Sequence, residues 1–371
     1  MSDHGSANPK LAILGTRGIP AGHGGFETFA EKFAPYLVDR GWKVRVYCQA
    51  AGEGDIQYSS WQGVELVTVP VRNSGPWGTI VFDWVTMRHA AAERFPMLVL
   101  GYNTAIFSAI GRLSGCQVVM NMDGIEWRRS KWSAPIKGWF FINEIFGCLL
   151  ANKLVADHPE ISKHLQRWVG ESKITMLPYG ADSPSTINSA CLDQFGVEPK
   201  QFVLIIARPE PENSILEMVK AFSLRTRGLK LVVLGNYGAQ NNSFQRDVLA
   251  AASDEVLFPG AVYDSDIVAT LRSEAVLYLH GHQVGGTNPS LVEALASGSP
   301  VLAHDNKFNR WVAGDRAAYF KNDVHLERQL SRLLNDPDRL QEMSSASRDQ
   351  FLKFNWEEIL RGYEQVCRVG E

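Results

Sequence analysis

Short apolar runs that recur between helical periodicities restrict the fold of this chain more than any other feature, and the series occurs twice. From Leu11 the sequence reads LAILG, KVRVYC, VELVTVPV, MLVLGY, QVVMNMDG, KLVADH and ITMLPYG. Helical patterns separate several of these runs; after the first, Phe26, Phe29, Ala30, Phe33 and Leu37 fall on one face. Apolar strands alternating with helices predict a mostly parallel sheet covered on both sides. A polar stretch, ADSPSTINSA at 181–190, reads as a linker, after which FVLIIAR, KLVVLG, EVLFPG, AVLYLHG and PVLAH repeat the alternation with SILEMVKAFSL, DSDIVATLRS and PSLVEALAS. The expectation is α/β, with two doubly wound Rossmann-like domains at 1–185 and 186–350. In the tail, 351–371, Trp356, Ile359, Leu360, Tyr363 and Val366 share a helical face that must dock, and the first domain is where it is expected to return.

At 371 residues and 45% hydrophobic, the chain can bury two cores. With 37 basic and 40 acidic residues its net charge is −3, which supplies no bulk electrostatics for nucleic acid. Five scattered cysteines without a C-x-x-C pair fit a reducing, cytoplasmic compartment. The first ten residues are polar and lack the apolar core of a leader, and the most apolar region, Ile136 to Ala151, is interrupted by Asn143 and Glu144 and is too short to span a bilayer.

Between the first strand and its helix lies a turn with Gly15, Gly18, Gly22, Gly24 and Gly25. Such a loop can hold a phosphate or carboxylate, or it can simply turn the chain. A dinucleotide site is excluded twice: the spacing is not G-x-G-x-x-G, and the second strand ends in Cys48-Gln49 where a ribose-binding acid would stand. The loops after the strands are expected to converge on one interdomain cleft, at Gly15 to Gly25, Asp123-Gly124, Tyr179-Gly180, Arg208 to Asn213, and His280 to Ser290.

Several of these loops carry chemistry. Gly285, Gly286, Thr287 and Asn288 precede a helix start, where backbone amides can hold an anion. Glu293 follows on that helix and can accept the two hydroxyls of a ribose or stabilise the helix. Arg208 ends a strand, as a surface charge or as a bidentate phosphate clamp. Asp123 can orient or deprotonate a hydroxyl, or form an Asx turn ahead of Gly124. Asp264 and Asp266 have a D-x-D spacing but open a helix, where Asp is the expected cap. His280 and His282 lack a third ligand, so pocket lining is favoured over metal.

The stretches GTRGIPAGHGGFETF, NMDGIEWRRSKW, LPYGAD, ARPEPENSILEMVKAFS and HGHQVGGTNPSLVEALASGSPVLAHDNKFNR resemble family 4 glycosyltransferases of the GT-B architecture, within them the bacterial rhamnosyltransferase-like group. The resemblance implies a retaining, metal-independent transfer of a sugar, rhamnose among the choices, from a nucleotide diphosphate donor to a saccharide or lipid-linked acceptor in polysaccharide biosynthesis. No cofactor is implied. Donor contacts would come from Gly24, Gly25, Gly180, Arg208, Asn213, His282, Gly286, Thr287, Asn288 and Glu293. Asp123, Arg208 and Glu293 would act in catalysis, and Arg128 and Arg129 would meet an anionic acceptor or form a solvated basic face. Two departures stand out: the first glutamate of the family's E-x7-E pair falls on Gly285, and its lysine on Asn213. The alternatives are a GT-B epimerase, which would need further acid/base carboxylates, and a catalytically impaired partner subunit, favoured only by Gly285. Finally, Ile136, Trp139, Phe140, Phe146, Leu149 and Leu150 form an apolar helical face beside a basic cluster. It reads as core of the first domain, with a membrane-surface helix as the alternative and peripheral contact at the inner face of the membrane as its consequence.

Overall fold

The computed structural model describes residues 8–22, 24–72, 75–238 and 242–368; most of the N-terminal segment read above for a leader lies outside the described residues. The chain divides into two compact units, residues 1–178 with 357–371, and residues 179–356.

In the first unit, strands β1 (Lys10–Leu14), β2 (Lys43–Ala51), β3 (Gln57–Trp61), β4 (Val64–Val71), β5 (Met97–Leu100), β6 (Val118–Asn121), β7 (Lys153–Ala156) and β8 (Ile174–Met176) form one sheet. Their order is β3-β4-β2-β1-β5-β6-β7-β8. All neighbours are parallel except β3 and β4, whose two-residue turn, Gln62-Gly63, has positive φ at both positions as a tight hairpin requires. The sequence reading passed over β3 because QYSSW is exposed and lacks the apolar run of its neighbours. Helices α1 (Gly25–Val38), α2 (Pro76–Ala92), α3 (Ser108–Leu113), α4 (Ala134–Leu150) and α5 (Pro159–Leu165) join the strands. Helix α1 buries Phe29, Phe33 and Leu37, the face its spacing indicated.

Helix α4 departs from the expectation that its apolar face is core: of the six residues named for that face, Phe140, Phe146 and Leu150 are half-buried, the other three are exposed, and none is fully buried. Its buried residues are Asn143, Glu144, Gly147 and Cys148, whereas Ile136, Trp139, Ile142 and Leu149 are exposed. The polar side chains go inward because the neighbouring structure offers them partners. Asn143 accepts from the Ile106 amide at 3.1 Å. Glu144 accepts from Trp127 Nε1 at 2.9 Å and Trp168 Nε1 at 3.2 Å, and lies 2.8 Å from His164 Nε2. A buried carboxylate surrounded by hydrogen-bonding groups is stable where a bare one is not.

The second unit contains β9 (Phe202–Ile206), β10 (Lys230–Leu234), β11 (Val256–Gly260), β12 (Leu277–His280), β13 (Val301–His304) and β14 (Ala318–Phe320). They form a parallel sheet in the order β11-β10-β9-β12-β13-β14. Around it run α6 (Ile215–Ser223), α7 (Ser243–Ala250), α8 (Ser265–Glu274), α9 (Pro289–Ala296), α10 (Lys307–Ala313), α11 (Asp323–Leu333) and α12 (Pro337–Phe351). Two buried clusters cover the two faces, one including Phe202, Leu204, Tyr278 and Leu295, the other Val203, Ile205, Phe222 and Leu279. Successive residues of β9 thus enter opposite cores, which is why FVLII is apolar throughout.

The last helix, α13 (Trp356–Cys367), packs all but its first residue into the first unit. Ile359, Leu360, Tyr363, Val366 and Cys367 are buried. The Tyr363 ring lies 4.4 Å from that of Phe29. In both sheets the chain turns back beside its first strand, between β1 and β5 and between β9 and β12. In open α/β sheets, ligand-binding loops sit at the carboxyl ends of the strands on either side of such a reversal.

Candidate functional site

In the second unit, the loops after β9 and β12 are stitched together. The Ser214 hydroxyl donates to Gly281 O at 2.8 Å, Gln283 N–H donates to Glu212 O at 3.0 Å, and Gln283 Nε2 donates to Ser214 Oγ at 2.9 Å. A Cβ at Gly281 would stand within 2.1 Å of Asn213 O, so only glycine permits this approach. Asn213 is buried, and its amide donates to Arg208 O at 2.8 Å. It therefore shapes the loop that carries Arg208. The Arg208 guanidinium is exposed and makes no ion pair or hydrogen bond among the described residues.

The start of α9 is narrower as an anion site than the sequence implied. Pro289 has no N–H, the Asn288 side chain accepts from Ser290 N, and Asn288 O accepts from Leu291 N and Val292 N. Amides for a ligand are left to the turn before the helix, where Gly286 N–H has no partner among the described residues. Thr287 is buried. Gly285 has φ +120°, a conformation that L side chains rarely adopt, although a Cβ there would meet open space. The missing glutamate is thus matched by a backbone that a glutamate would strain.

Glu293 lies in the second turn of α9. Its carboxylate is 2.5 Å from the guanidinium of Arg272, a buried residue of α8 that sequence reasoning missed. Arg272 also reaches Ser290 Oγ at 3.4 Å, and that hydroxyl is 2.6 Å from Tyr278 OH. The network fixes the Glu293 side chain from behind. His282 stacks on His280 with ring centres 4.4 Å apart, and its carbonyl accepts from Asn306 and Asn309. Burial, with His282 and His304 nearby, holds buried His280 well below the usual imidazole range, so the stack is neutral at that ring. The Asp264 carboxylate accepts from the amides of Asp266 and Ile267, as a helix cap does. Among the described residues no group of three His, Cys, Asp or Glu is placed to hold a metal ion. Gly180 is buried between Tyr179, which packs on Trp356, and Ala181, which bridges Asn355.

In the first unit two cavities border the glycine-rich loop. One, of about 320 Å³, is walled by Arg17, Gly18, Gly22, Glu27 and Gln49; the other, of about 210 Å³, by Arg17, Glu27, Thr79, Asp83, Asn103 and Thr104 among others. Gly24 and Gly25 line neither: they cap and begin α1, with Gly24 O accepting from Thr28. Glu27 reaches back to the Arg17 amide at 2.9 Å. Asp83 accepts from Thr104 Oγ1 at 2.7 Å, and burial pushes its carboxyl up to about 6 against that bond. Asp83 escaped the sequence reading because it sits inside a helical pattern without a motif.

Asp123 follows β6 with φ +49°, left-handed backbone that Asp tolerates better than most residues. Asn121 makes an Asx-type bond at this turn, its Oδ1 accepting from Asp123 N at 2.8 Å. Asn121 Nδ2 in turn donates to Tyr363 OH at 2.7 Å, so α13 braces the loop. Arg129 pairs with Glu126 at 2.7 Å, while exposed Arg128 lies over the Trp127 ring.

Residues 9–182 match the family model described as a domain of unknown function, DUF1972. Residues 193–350 match glycosyl transferases group 1. No curated protein matches the chain. Among solved structures, sucrose-phosphate synthase from Thermosynechococcus elongatus superposes with a TM-score of 0.78 at 16% identity, over 97% of this chain and 98% of that one. Anabaena HepE in complex with UDP and glucose gives 0.77 at 13% identity, over 98% and 100%. A glycosyltransferase from Rickettsia africae gives 0.72 at 14%, over 97% and 98%. The chain thus has the GT-B fold, and its second unit carries a glycosyltransferase group 1 domain.

Proposed function

We propose that this protein transfers a glycosyl group from a nucleoside diphosphate sugar to a saccharide acceptor, with retention at the anomeric carbon and without a divalent cation. The observation that carries the reading is the group 1 domain at 193–350 together with a free guanidinium, Arg208, on a loop locked to the glycine-rich turn before α9. HepE, a similar fold, binds UDP and glucose. In this chain the second unit holds the donor. Arg208 and the Gly286 amide meet the diphosphate, where negative charge grows as the sugar departs, and fixed donors aimed at developing charge lower the barrier. Glu293, held by Arg272, accepts from the ribose hydroxyls.

The first unit receives the acceptor. Its 210 Å³ cavity is smaller than the ~300–1,000 Å³ usual for a whole ligand, so it takes one part of a longer acceptor. Thr79, Asp83, Asn103 and Thr104 offer hydroxyl-directed hydrogen bonds there. Asp123 orients the acceptor hydroxyl, Arg128 meets an anionic portion, and rhamnose is the sugar and a lipid-linked polysaccharide precursor the acceptor that the family resemblance favours. The test is release of nucleoside diphosphate from a panel of nucleotide sugars in EDTA, with and without acceptor. Acceptor-dependent release is expected. Conversion of the donor without acceptor would instead identify an epimerase, and absence of both reactions a non-catalytic subunit.

A further inference from the structure

Helix α4 presents its apolar stripe outward, and α2 does the same beside it. On α4, Trp139, Ile142 and Leu149 are exposed at helical spacing, Leu149 to 63%. On α2, Trp77, Val81 and Trp84 repeat the pattern, with Trp77 72% exposed. One loop joins the two stripes. Phe107 packs edge-on against Trp84 with ring centres 5.2 Å apart, Trp139 Nε1 donates to Asn103 O at 2.8 Å, and Ile106 N donates to Asn143 on α4. The next helix, α3, ends in Leu113, 90% exposed. So large a grouping of exposed tryptophan and aliphatic side chains marks an interaction surface rather than ordinary scatter.

The charges on the same helices indicate what it meets. Arg88 continues the α2 stripe and lies over the Trp84 ring, and Lys137 stands beside Ile136. The acidic residues of these two helices, Asp83 and Glu144, are turned away, one to the Thr104 side of the cavity and one into the core. Tryptophan, aliphatic and basic side chains without exposed acid match the boundary between anionic headgroups and acyl chains. Two copies of this face would bring like charges together. No helix of the described residues is long and apolar enough to cross a membrane.

We infer that the first unit docks on an anionic phospholipid surface through the outward stripes of α2 and α4. The inference deepens the proposed function, because the loop joining the stripes also supplies Asn103, Thr104 and Phe107 to the 210 Å³ cavity, where a lipid-borne acceptor would arrive. Vesicle binding itself does not require turnover.

The test is flotation of the full chain with vesicles of phosphatidylcholine alone and of phosphatidylcholine mixed with phosphatidylglycerol. Binding is expected to the mixed vesicles and to weaken in high salt, as screening demands. Combined Trp77→Ser, Val81→Ser, Ile142→Ser and Leu149→Ser should lower partitioning by more than about tenfold. These side chains are exposed, so far-UV circular dichroism and nucleoside diphosphate release to a soluble acceptor should be retained. A milder pair, Arg88→Glu with Lys137→Glu, should reverse the preference for anionic lipid without removing apolar area. Wild-type protein that stays unbound while turning over donor overturns the docking and leaves the transferase reading intact; binding without turnover does the reverse. Concentration-dependent dimers that the serine variant dissociates, without vesicle binding, would assign the face to a second copy of the chain.

Discussion

Arg208 and Glu293 differ before any ligand arrives, since the guanidinium is exposed and unpaired while the carboxylate is already held by Arg272. Their substitutions should therefore differ in kind. In the proposed reaction, Arg208→Ala would remove a contact that strengthens as phosphate charge develops, so kcat should fall by about 10²-fold or more. Glu293→Gln should weaken nucleoside diphosphate affinity and raise KM with a smaller effect on kcat. Arg272→Met should reproduce the Glu293 phenotype, because it frees the carboxylate that Arg272 positions. Titration calorimetry with nucleoside diphosphate and steady-state kinetics separate the three, and an Arg208→Ala enzyme with unchanged kcat would remove that residue from the reaction. Asp83 gives a pH prediction of definite sign. Its carboxyl is raised to about 6 by burial, so the folded chain holds a proton that the unfolded chain has released above about pH 4. Stability falls as pH rises from about 4 to 6 and is flat above, a change on the order of 2 kcal/mol from this group. Asp83→Asn, neutral throughout, should flatten that slope in urea unfolding; equal slopes in both proteins would contradict the assignment.

At the scale of elements, α4 inverts the usual relation between hydrophobicity and burial, and stability measurements can test it directly. Glu144→Ala leaves Trp127, His164 and Trp168 without their carboxylate in a buried site, and should cost about 3–5 kcal/mol with a change in tryptophan fluorescence. Ile142→Ser, on the exposed stripe, should stay within about 0.5 kcal/mol of wild type. A ranking by hydrophobicity predicts the opposite order, so a larger loss for Ile142→Ser would restore the core reading. The same helix shows what was legible in the sequence. Strands such as FVLII announce themselves because both sheet faces are covered and every residue must be apolar, and α1 because one face alternates cleanly. The inward face of α4 was hidden because Trp127 and Trp168, which make Glu144 acceptable inside, lie outside the helix window. β3 escaped because an exposed edge strand has no apolar pattern to reveal it. At the sites, Arg208 and Glu293 could be placed on their loop and helix from the sequence alone. Arg272, Asn121 and Asp83 could not, because each acts through a partner distant along the chain.

The whole molecule closes its first unit with its last helix, and that closure has a measurable consequence. Ile359, Leu360, Tyr363, Val366 and Cys367 are buried, Tyr363 stands against Phe29, and its hydroxyl holds Asn121 beneath the Asp123 loop. Fully burying an aliphatic or aromatic side chain contributes about 1.5–3 kcal/mol, so these residues together supply on the order of 10 kcal/mol. A domain's total stability is about 5–15 kcal/mol. A chain ending at Glu357, which keeps Trp356 against Tyr179 in the second unit, should consequently lose most of the first unit's stability and little of the second's. Hydrogen exchange reads this residue by residue. Protection should collapse in β1 and β6 and persist in β9 and β12, with nucleoside diphosphate still bound by the second unit. Tyr363→Phe is the finer probe. It keeps the ring packing, frees Asn121, and should lower kcat through the Asp123 loop while shifting the unfolding midpoint only slightly. If the truncated chain protects β1 and β6 as the full chain does, α13 is an appendage, and the first unit is complete by Pro178.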